Sequence, residues 1–294
     1  MTNSARSGSI LILIAALLWS TGGLFIKSIS MDAFGVSFWR SWFAFITLYA
    51  VYYFQQHKIA HHEDESWFNS HTLIASLFYS ALLILFVIAT KLTTSANAIF
   101  LQFTAPIYVL FLEPVLTKTR IKRDDVITVL IAVAAMGLFF VGKFDTRSVW
   151  GNIAALTSGV FFAGYALMLK HDRASEATRW RIVIIGHLII MLSMLFYSGI
   201  SGNSIMPHNA NDLLMVGFLG VVQIGIAYSL FTFGLSHVRA LDALLLSMLE
   251  PVLNPIWVYL GLGETPTKYA IIGGAIILAL VAIRAIRGER PAAA

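Results

Sequence analysis

Ten stretches poor in charge follow one another along this chain, at roughly residues 8–27, 36–54, 72–90, 94–116, 125–142, 149–169, 182–199, 213–235, 240–261 and 269–284. Each holds about 16 to 25 residues, the length that a helix rising about 1.5 Å per residue needs to cross a hydrocarbon core. Runs this long and this uniformly apolar lack the alternating polarity of outer-membrane barrel strands. With 58% hydrophobic residues, 12% charged residues and a mean hydropathy of +0.80, the composition excludes a soluble globular class. The expected fold is an all-α polytopic membrane protein with ten transmembrane helices. Its first run, Gly8 to Ile26, is expected to stay in the mature protein as a span, because its pattern returns at Trp150 to Lys170, where no signal peptide could sit.

Ten spans put both termini on one side of the membrane. Of 20 lysines and arginines, only Lys27, Arg40, Lys91, Lys143, Arg147 and Lys268 fall opposite the termini. The positive-inside rule therefore places both termini in the cytoplasm, in a multi-pass protein of the cell inner membrane. A net charge of +5 is thus spread over short turns as a topology signal, and no stripe for nucleic acid is formed. The longest cytoplasmic loop carries His57, His61, His62, Glu63, Asp64 and Glu65. It reads as a solvated loop, and no metal site is expected. The absence of cysteine removes disulfides, thiolate nucleophiles and Cys-ligated metals, and no cofactor is implied.

Internal similarity organises the chain further. Leu85, Phe86, Ala98, Leu101 and Pro106 recur in one unbroken register as Leu230, Phe231, Ala243, Leu246 and Pro251. Gly8 and Lys27 correspond to Gly151 and Lys170 at nearly the same spacing, and Trp39-Arg40 to Trp180-Arg181. Residues 1–145 and 146–294 are expected to be two five-helix repeats of one membrane domain. Because five is odd, the copies must be inverted, with a central cavity near the midplane where they meet.

The polar residues inside the apolar runs are few, and each is expensive there unless it faces a cavity or a partner. Glu250 stands about midway through the ninth run. It is either a cavity-facing carboxylate that meets a substrate ammonium or carries a proton, or a structural acceptor. Gln102 and Ser247 precede Pro106 and Pro251 by about one turn and are candidate ligand contacts, although serine also bonds its own helix. The two prolines are expected to break helices beside the cavity. Asn97 and Asp242, equivalent by register, are candidate gates at opposite ends, with helix capping as the simpler reading. Trp19, Tyr79, Phe103, Phe162, Tyr165 and Tyr228 could line an aromatic cavity suited to apolar or aromatic solutes. Trp67, Trp150 and Trp180 are expected as interfacial anchors, and Arg40 and Arg181 as interfacial residues that snorkel to water.

No HExxH, GxSxG, Walker or EF-hand pattern is present, so the reading is a transporter and not an enzyme, and transport would be secondary. Its expected partners are a small-molecule substrate and the lipid bilayer. A monomer would suffice, and the oligomeric state stays open. A membrane receptor or intramembrane enzyme is the alternative from another class.

The motifs ALLWSTGGLFIKS, FWRS, SANAIFLQFTAPIYV and ALDALLLSMLEPVLNPIWVYLGLGE, in that order, resemble the EamA family of the drug/metabolite transporter superfamily. Within it the chain is similar to bacterial exporters of aromatic amino acids. The resemblance implies ten helices with cytoplasmic termini and a cavity lined by the first, third, fourth, sixth, eighth and ninth. The fifth and tenth would be peripheral supports. It also implies export of amino acids and related metabolites by alternating access, with the family's proline and glutamate features on Pro106, Pro251, Glu250 and Glu264. A broad exporter of drugs or metabolites is the alternative. Thr119 stands where the first half often has the equivalent of Glu264, which argues against a symmetric role for that glutamate.

Overall fold

The computed structural model describes residues 3–55, 67–118, 120–138, 141, 148–171, 174–262 and 267–287. The histidine-rich loop, Thr119 and Glu264 lie outside these. The described residues are helical, with no strand: α1 (Asn3–Trp19), α2 (Gly22–Ser28), α3 (Ala33–Gln55), α4 (Ser70–Leu92), α5 (Ser95–Gln102), α6 (Ala105–Thr117), α7 (Arg123–Leu138), α8 (Val149–Lys170), α9 (Glu176–Ser201), α10 (Ala210–Phe218), a π-helical stretch (Leu219–Ile226), α11 (Ala227–Leu235), α12 (Ala240–Ser247), α13 (Leu249–Leu262) and α14 (Lys268–Arg287).

Taking collinear pieces together, eight helices among the described residues are long and apolar enough to cross a membrane. Two further apolar runs coincide with α3, 23 residues long but rich in Trp and Tyr, and with α7, of which 16 residues are described. Large apolar side chains such as Phe54, Val115, Phe196 and Leu214 are exposed, which suits lipid and would be a liability in water. The protein is a multi-pass membrane protein.

Four of the eight crossing helices are interrupted, and in three of them the sequence supplies a cause. Between α1 and α2 the hydroxyls of Ser20 and Thr21 bond back to the carbonyls of Leu17 and Leu18 at 2.6 and 2.8 Å, drawing those acceptors away from the helical ladder. Between α5 and α6 the chain turns at Phe103-Thr104, and Pro106 sits in the first turn of α6, where a missing N–H costs nothing. Pro251 likewise sits in the first turn of α13, after the break at Met248. The π-helical stretch interrupts the fourth of these helices, between α10 and α11.

Carbonyls freed at the α1–α2 break are met by side chains from the second half of the chain. Asn254 Nδ2 donates to the Ser20 carbonyl at 2.9 Å and Gln223 Nε2 to that of Trp19 at 3.4 Å, while Trp257 Nε1 donates to Ser20 Oγ at 2.7 Å. Irregular backbone at membrane depth is tolerated where protein groups satisfy it in this way.

The packing order is regular. α1 lies on α11 and α8 on α4; α3 meets the π-helical stretch and α9 meets α4; α7 pairs with α14. Small and hydroxyl residues let these helices approach. A Cβ on Gly8 would come within 2.8 Å of the Gly234 carbonyl, and one on Gly151 within 2.9 Å of the Thr93 amide nitrogen. Both positions need glycine because backbone, which cannot yield, faces them. Gly151→Leu is therefore expected to destabilise the detergent-solubilised protein by about 1–3 kcal/mol through overpacking. Gly137→Ala, where a Cβ meets nothing within 4 Å, should leave the melting temperature unchanged. Thermal melts followed by tryptophan fluorescence check both.

α14 is the most peripheral span. Only 22% of its apolar window is buried, against at least 50% in each of the others.

Candidate functional site

The interrupted helices converge on a small cavity of about 20 Å³, room for roughly one water. Trp19 at the end of α1, Gln102 at the end of α5, Phe162 on α8, Tyr228 on α11 and Glu250 on α13 line it, together with Arg40 on α3, Leu82, Leu83 and Phe86 on α4, and Gln223 and Ile224 of the π-helical stretch. A larger cleft of about 170 Å³ lies among α9 and the end of α11, around Glu176, Arg179 and His237. It opens at the helix ends, away from the break points, and is not the candidate site.

The aromatic wall is a connected set of rings. Trp19 packs on Tyr228 at 4.6 Å and on Phe231 at 5.0 Å, and meets Phe162 edge-on at 6.2 Å. Tyr79 stands edge-on to Tyr228 at 4.9 Å and lies 4.9 Å from Tyr165. Phe103 abuts Phe162 edge-on at 6.2 Å.

Five of the expected contacts, Trp19, Gln102, Phe162, Tyr228 and Glu250, thus border the cavity, and Tyr79, Phe103 and Tyr165 form the layer of rings behind them. Tyr79 Oη is engaged with His187 Nε2 at 3.0 Å and Tyr165 Oη with Thr232 at 3.3 Å. Ser247 is fully buried, and its hydroxyl donates to the Ala243 carbonyl one turn back at 2.9 Å. It therefore acts on its own helix and is not brought to the cavity wall.

Polar atoms around the cavity are incompletely partnered. Gln102 Nε2 donates to Ser158 Oγ at 2.8 Å, and that hydroxyl donates on to the Leu82 carbonyl. Trp19 Nε1, Gln223 Oε1 and both Nε and Nη1 of Arg40 have no hydrogen-bond partner although buried. Glu250 is 5% exposed and makes no hydrogen bond or ion pair among the described residues. Buried polar atoms left open in a native bundle call for a reason, and a place where a ligand's polar groups enter is one.

Three sequence expectations are corrected. Arg40 does not snorkel: it is 1% exposed, and its Nη2 donates to the Leu83 carbonyl at 3.3 Å. The residue sits two turns inside α3, too deep for its side chain to reach water past its neighbours. Trp180 is buried inside the bundle and is no interfacial anchor, whereas Trp150 is exposed and Trp67 lies under Arg181 at 5.4 Å in a cation–π contact.

Asn97 and Asp242, thirdly, are not helix caps. Thr94 caps α5 by accepting from the Asn97 amide at 3.1 Å. The Ala240 amide at the start of α12 is taken by Glu113 Oε1 from α6 at 3.2 Å. Both asparagine and aspartate instead join polar clusters at opposite ends of the bundle. Asn97 Nδ2 donates to Thr93 Oγ1 and Asn152 Oδ1. Nearby, Lys27 Nζ donates to the Thr93 carbonyl and Lys91 Nζ to that of Ile29, each at 2.6 Å. At the other end Arg284 pairs with Asp242 at 3.2 Å and Asp125 at 2.5 Å, and Arg239 with Asp125 at 3.0 Å and Glu113 at 3.5 Å. Burial of the Arg239 guanidinium lowers its proton affinity, but these acidic neighbours outweigh that and hold it above the usual arginine range.

Polar clusters of different chemistry thus stand at the two ends of the bundle. Arg40 and Gln223 were not among the site candidates. A signal existed for each, a polar residue within an apolar run, but the arginine beside Trp39 reads as an interfacial pair, and the glutamine's depth depends on the π-helical register.

A chain 27% identical over 285 residues, covering 95% of this chain and 96% of its own length, is an uncharacterized transporter of Archaeoglobus fulgidus. The uncharacterized transporter YwfM of Bacillus subtilis is 27% identical over 278 residues, 92% of this chain and 90% of its own. A protein of known crystal structure superposes with a TM-score of 0.78 at 20% identity, over 97% of this chain and 99% of that one, and shares the fold. The EamA-like transporter family model matches twice in succession, over residues 6–141 and 149–285, and the chain belongs to that family.

Proposed function

We propose that the protein exports amino acids, aromatic or apolar ones and related metabolites, across the inner membrane by alternating access. Two inverted five-helix repeats, residues 1–145 and 146–294, would rock about the central cavity, with both termini cytoplasmic. The observation that carries this reading is a buried carboxylate, Glu250, left without a protein partner at the wall of an aromatic cavity. Such a group suits a ligand that brings an ammonium and an apolar body together.

The repeat is supported by two successive matches to one family model and by equivalent close contacts at Gly8 and Gly151. Alternating access is supported by polar clusters of different chemistry at the two ends of the bundle, each placed to act as a gate. Hydrogen bonds to backbone carbonyls hold the end near Asn97, and ion pairs hold the end near Asp242. Pro106 and Pro251, each just after a break, are placed to let the half-helices pivot.

Counterflow in proteoliposomes tests the substrate. Vesicles preloaded with unlabelled L-phenylalanine should accumulate the radiolabelled amino acid faster than empty vesicles. Failure of every amino acid to exchange would remove this reading, and exchange of structurally unrelated drugs instead would favour a broad drug or metabolite exporter.

A further inference from the structure

Arg40 is the cation at the cavity wall, and its environment does not account for it. One nitrogen, Nη2, meets the Leu83 carbonyl. Nε and Nη1 are buried with no partner. A guanidinium stays charged and presents a planar fork of donors, so leaving most of that fork empty in an apolar bundle is costly. A packing role would be served by an uncharged side chain of similar volume.

Glu250 borders the same cavity of about 20 Å³ and forms no ion pair with Arg40 among the described residues. A guanidinium and a carboxyl group thus border one small space without pairing with each other. Tyr228 lines the cavity with both. A dipolar ligand has matching needs: a carboxylate fits the arginine fork in bidentate fashion, and an ammonium fits the glutamate.

We propose that Arg40 anchors the carboxylate of an α-amino acid while Glu250 takes its ammonium group, so that the cavity selects zwitterions over simple amines. This rests on the amino-acid export reading above and adds the group that recognises the acid end. The rings of Trp19 and Phe162 supply the apolar wall for the substrate's side chain. The partnerless Trp19 Nε1 is a second donor for the carboxylate, and the partnerless Gln223 Oε1 a second acceptor for the ammonium. In the closed structure the space is too small for an amino acid, so binding must accompany widening between the two halves.

The test is equilibrium binding to the purified full-length protein, using L-phenylalanine, phenethylamine (which lacks the carboxylate) and L-phenylalanine amide (which has it neutralised). Wild type should prefer L-phenylalanine over both by about 30-fold, the effect of one buried charge-assisted pair. Arg40→Gln should erase that preference and leave phenethylamine binding within about 3-fold, with Arg40→Lys restoring part of it, as a point charge without the bidentate fork would. Retention of the full preference in Arg40→Gln would overturn the proposal while leaving export intact. Equal wild-type affinity for all three ligands, with counterflow still positive, would overturn it as well. Failure of both binding and counterflow for every amino acid would remove it together with the export reading. If Arg40→Gln does not fold, as judged by size-exclusion profile, Arg40→Lys and the wild-type comparison with the amide decide the matter alone.

Discussion

Glu250→Gln is expected to reduce L-phenylalanine counterflow by about 100-fold while leaving the melting temperature unchanged or raised. The two halves of that expectation have one cause. Glu250 is buried and has no hydrogen-bond or ionic partner among the described residues, so a carboxamide of the same shape in its place removes no native contact. A bound ammonium, by contrast, would lose its counter-charge in a site from which water has been expelled. Stability kept or gained while function is lost is the usual sign of a residue retained for activity. The comparison also separates the two functional readings of this carboxylate. If exchange survives and only the response to an imposed pH gradient disappears, Glu250 carries a proton and does not bind the substrate. Normal exchange with a normal pH response would make it a structural residue.

Much of the architecture was legible because lipid imposes strict rules on sequence. The apolar runs are long, their ends are marked by charge, and helices are the form an all-apolar run takes when backbone groups must be satisfied internally. The breaks were only half visible. Pro106 and Pro251 pointed to the right turns, but the interruption after Trp19 depends on Ser20 and Thr21 bonding backwards, and the π-helical stretch at Leu219–Ile226 carries no proline to announce it. Register similarity found Asn97 and Asp242 as an equivalent pair. It could not say that Thr94 and Glu113 would satisfy the amides at the two helix starts, since Glu113 comes from a distant helix.

Legibility at the cavity followed a similar division. Aromatic residues deep in the runs were found, since packing rings together at mid-depth needs only composition and spacing. Arg40 was misplaced because its position near the start of an apolar run and beside a tryptophan fits an interfacial residue equally well. What separates the two is which way the side chain points, and that is decided by how α3 packs against α4 and the π-helical stretch. The same motif in the second half, Trp180-Arg181, leads to a different outcome, with Arg181 over the Trp67 ring. Equivalent sequence thus places one arginine at the cavity wall and the other over an aromatic ring.

Asp125→Asn should open the end of the bundle that the ion pairs hold. Asp125 is the hub of that cluster, accepting from Arg239 at 3.0 Å and from Arg284 at 2.5 Å, and it ties α7 to the start of α12 and the end of α14. Its side chain is 4% exposed and that of Arg284 14%, so the amide would leave each cation one carboxylate in place of two, Glu113 for Arg239 and Asp242 for Arg284, with little water to make up the loss. Removing one partner of a buried pair costs about 3–5 kcal/mol, and the remaining carboxylates together with the greater exposure of Arg239 put the expected loss at or below the lower end, about 3 kcal/mol. A bias of about 3 kcal/mol shifts a two-state equilibrium by roughly 100-fold, enough to change which side of a transporter is open. The chain has no cysteine, so Ala243→Cys, fully buried and next to Asp242 in α12, reports this opening without background. Maleimide labelling at that position is expected to be slow in the Ala243→Cys protein and at least about tenfold faster when Asp125→Asn is added. Under the proposed orientation the faster labelling should come from the cytoplasmic side alone. Equal labelling in both proteins would mean that the cluster holds the fold together without gating it, and acceleration from both sides would mean that the bundle had loosened as a whole.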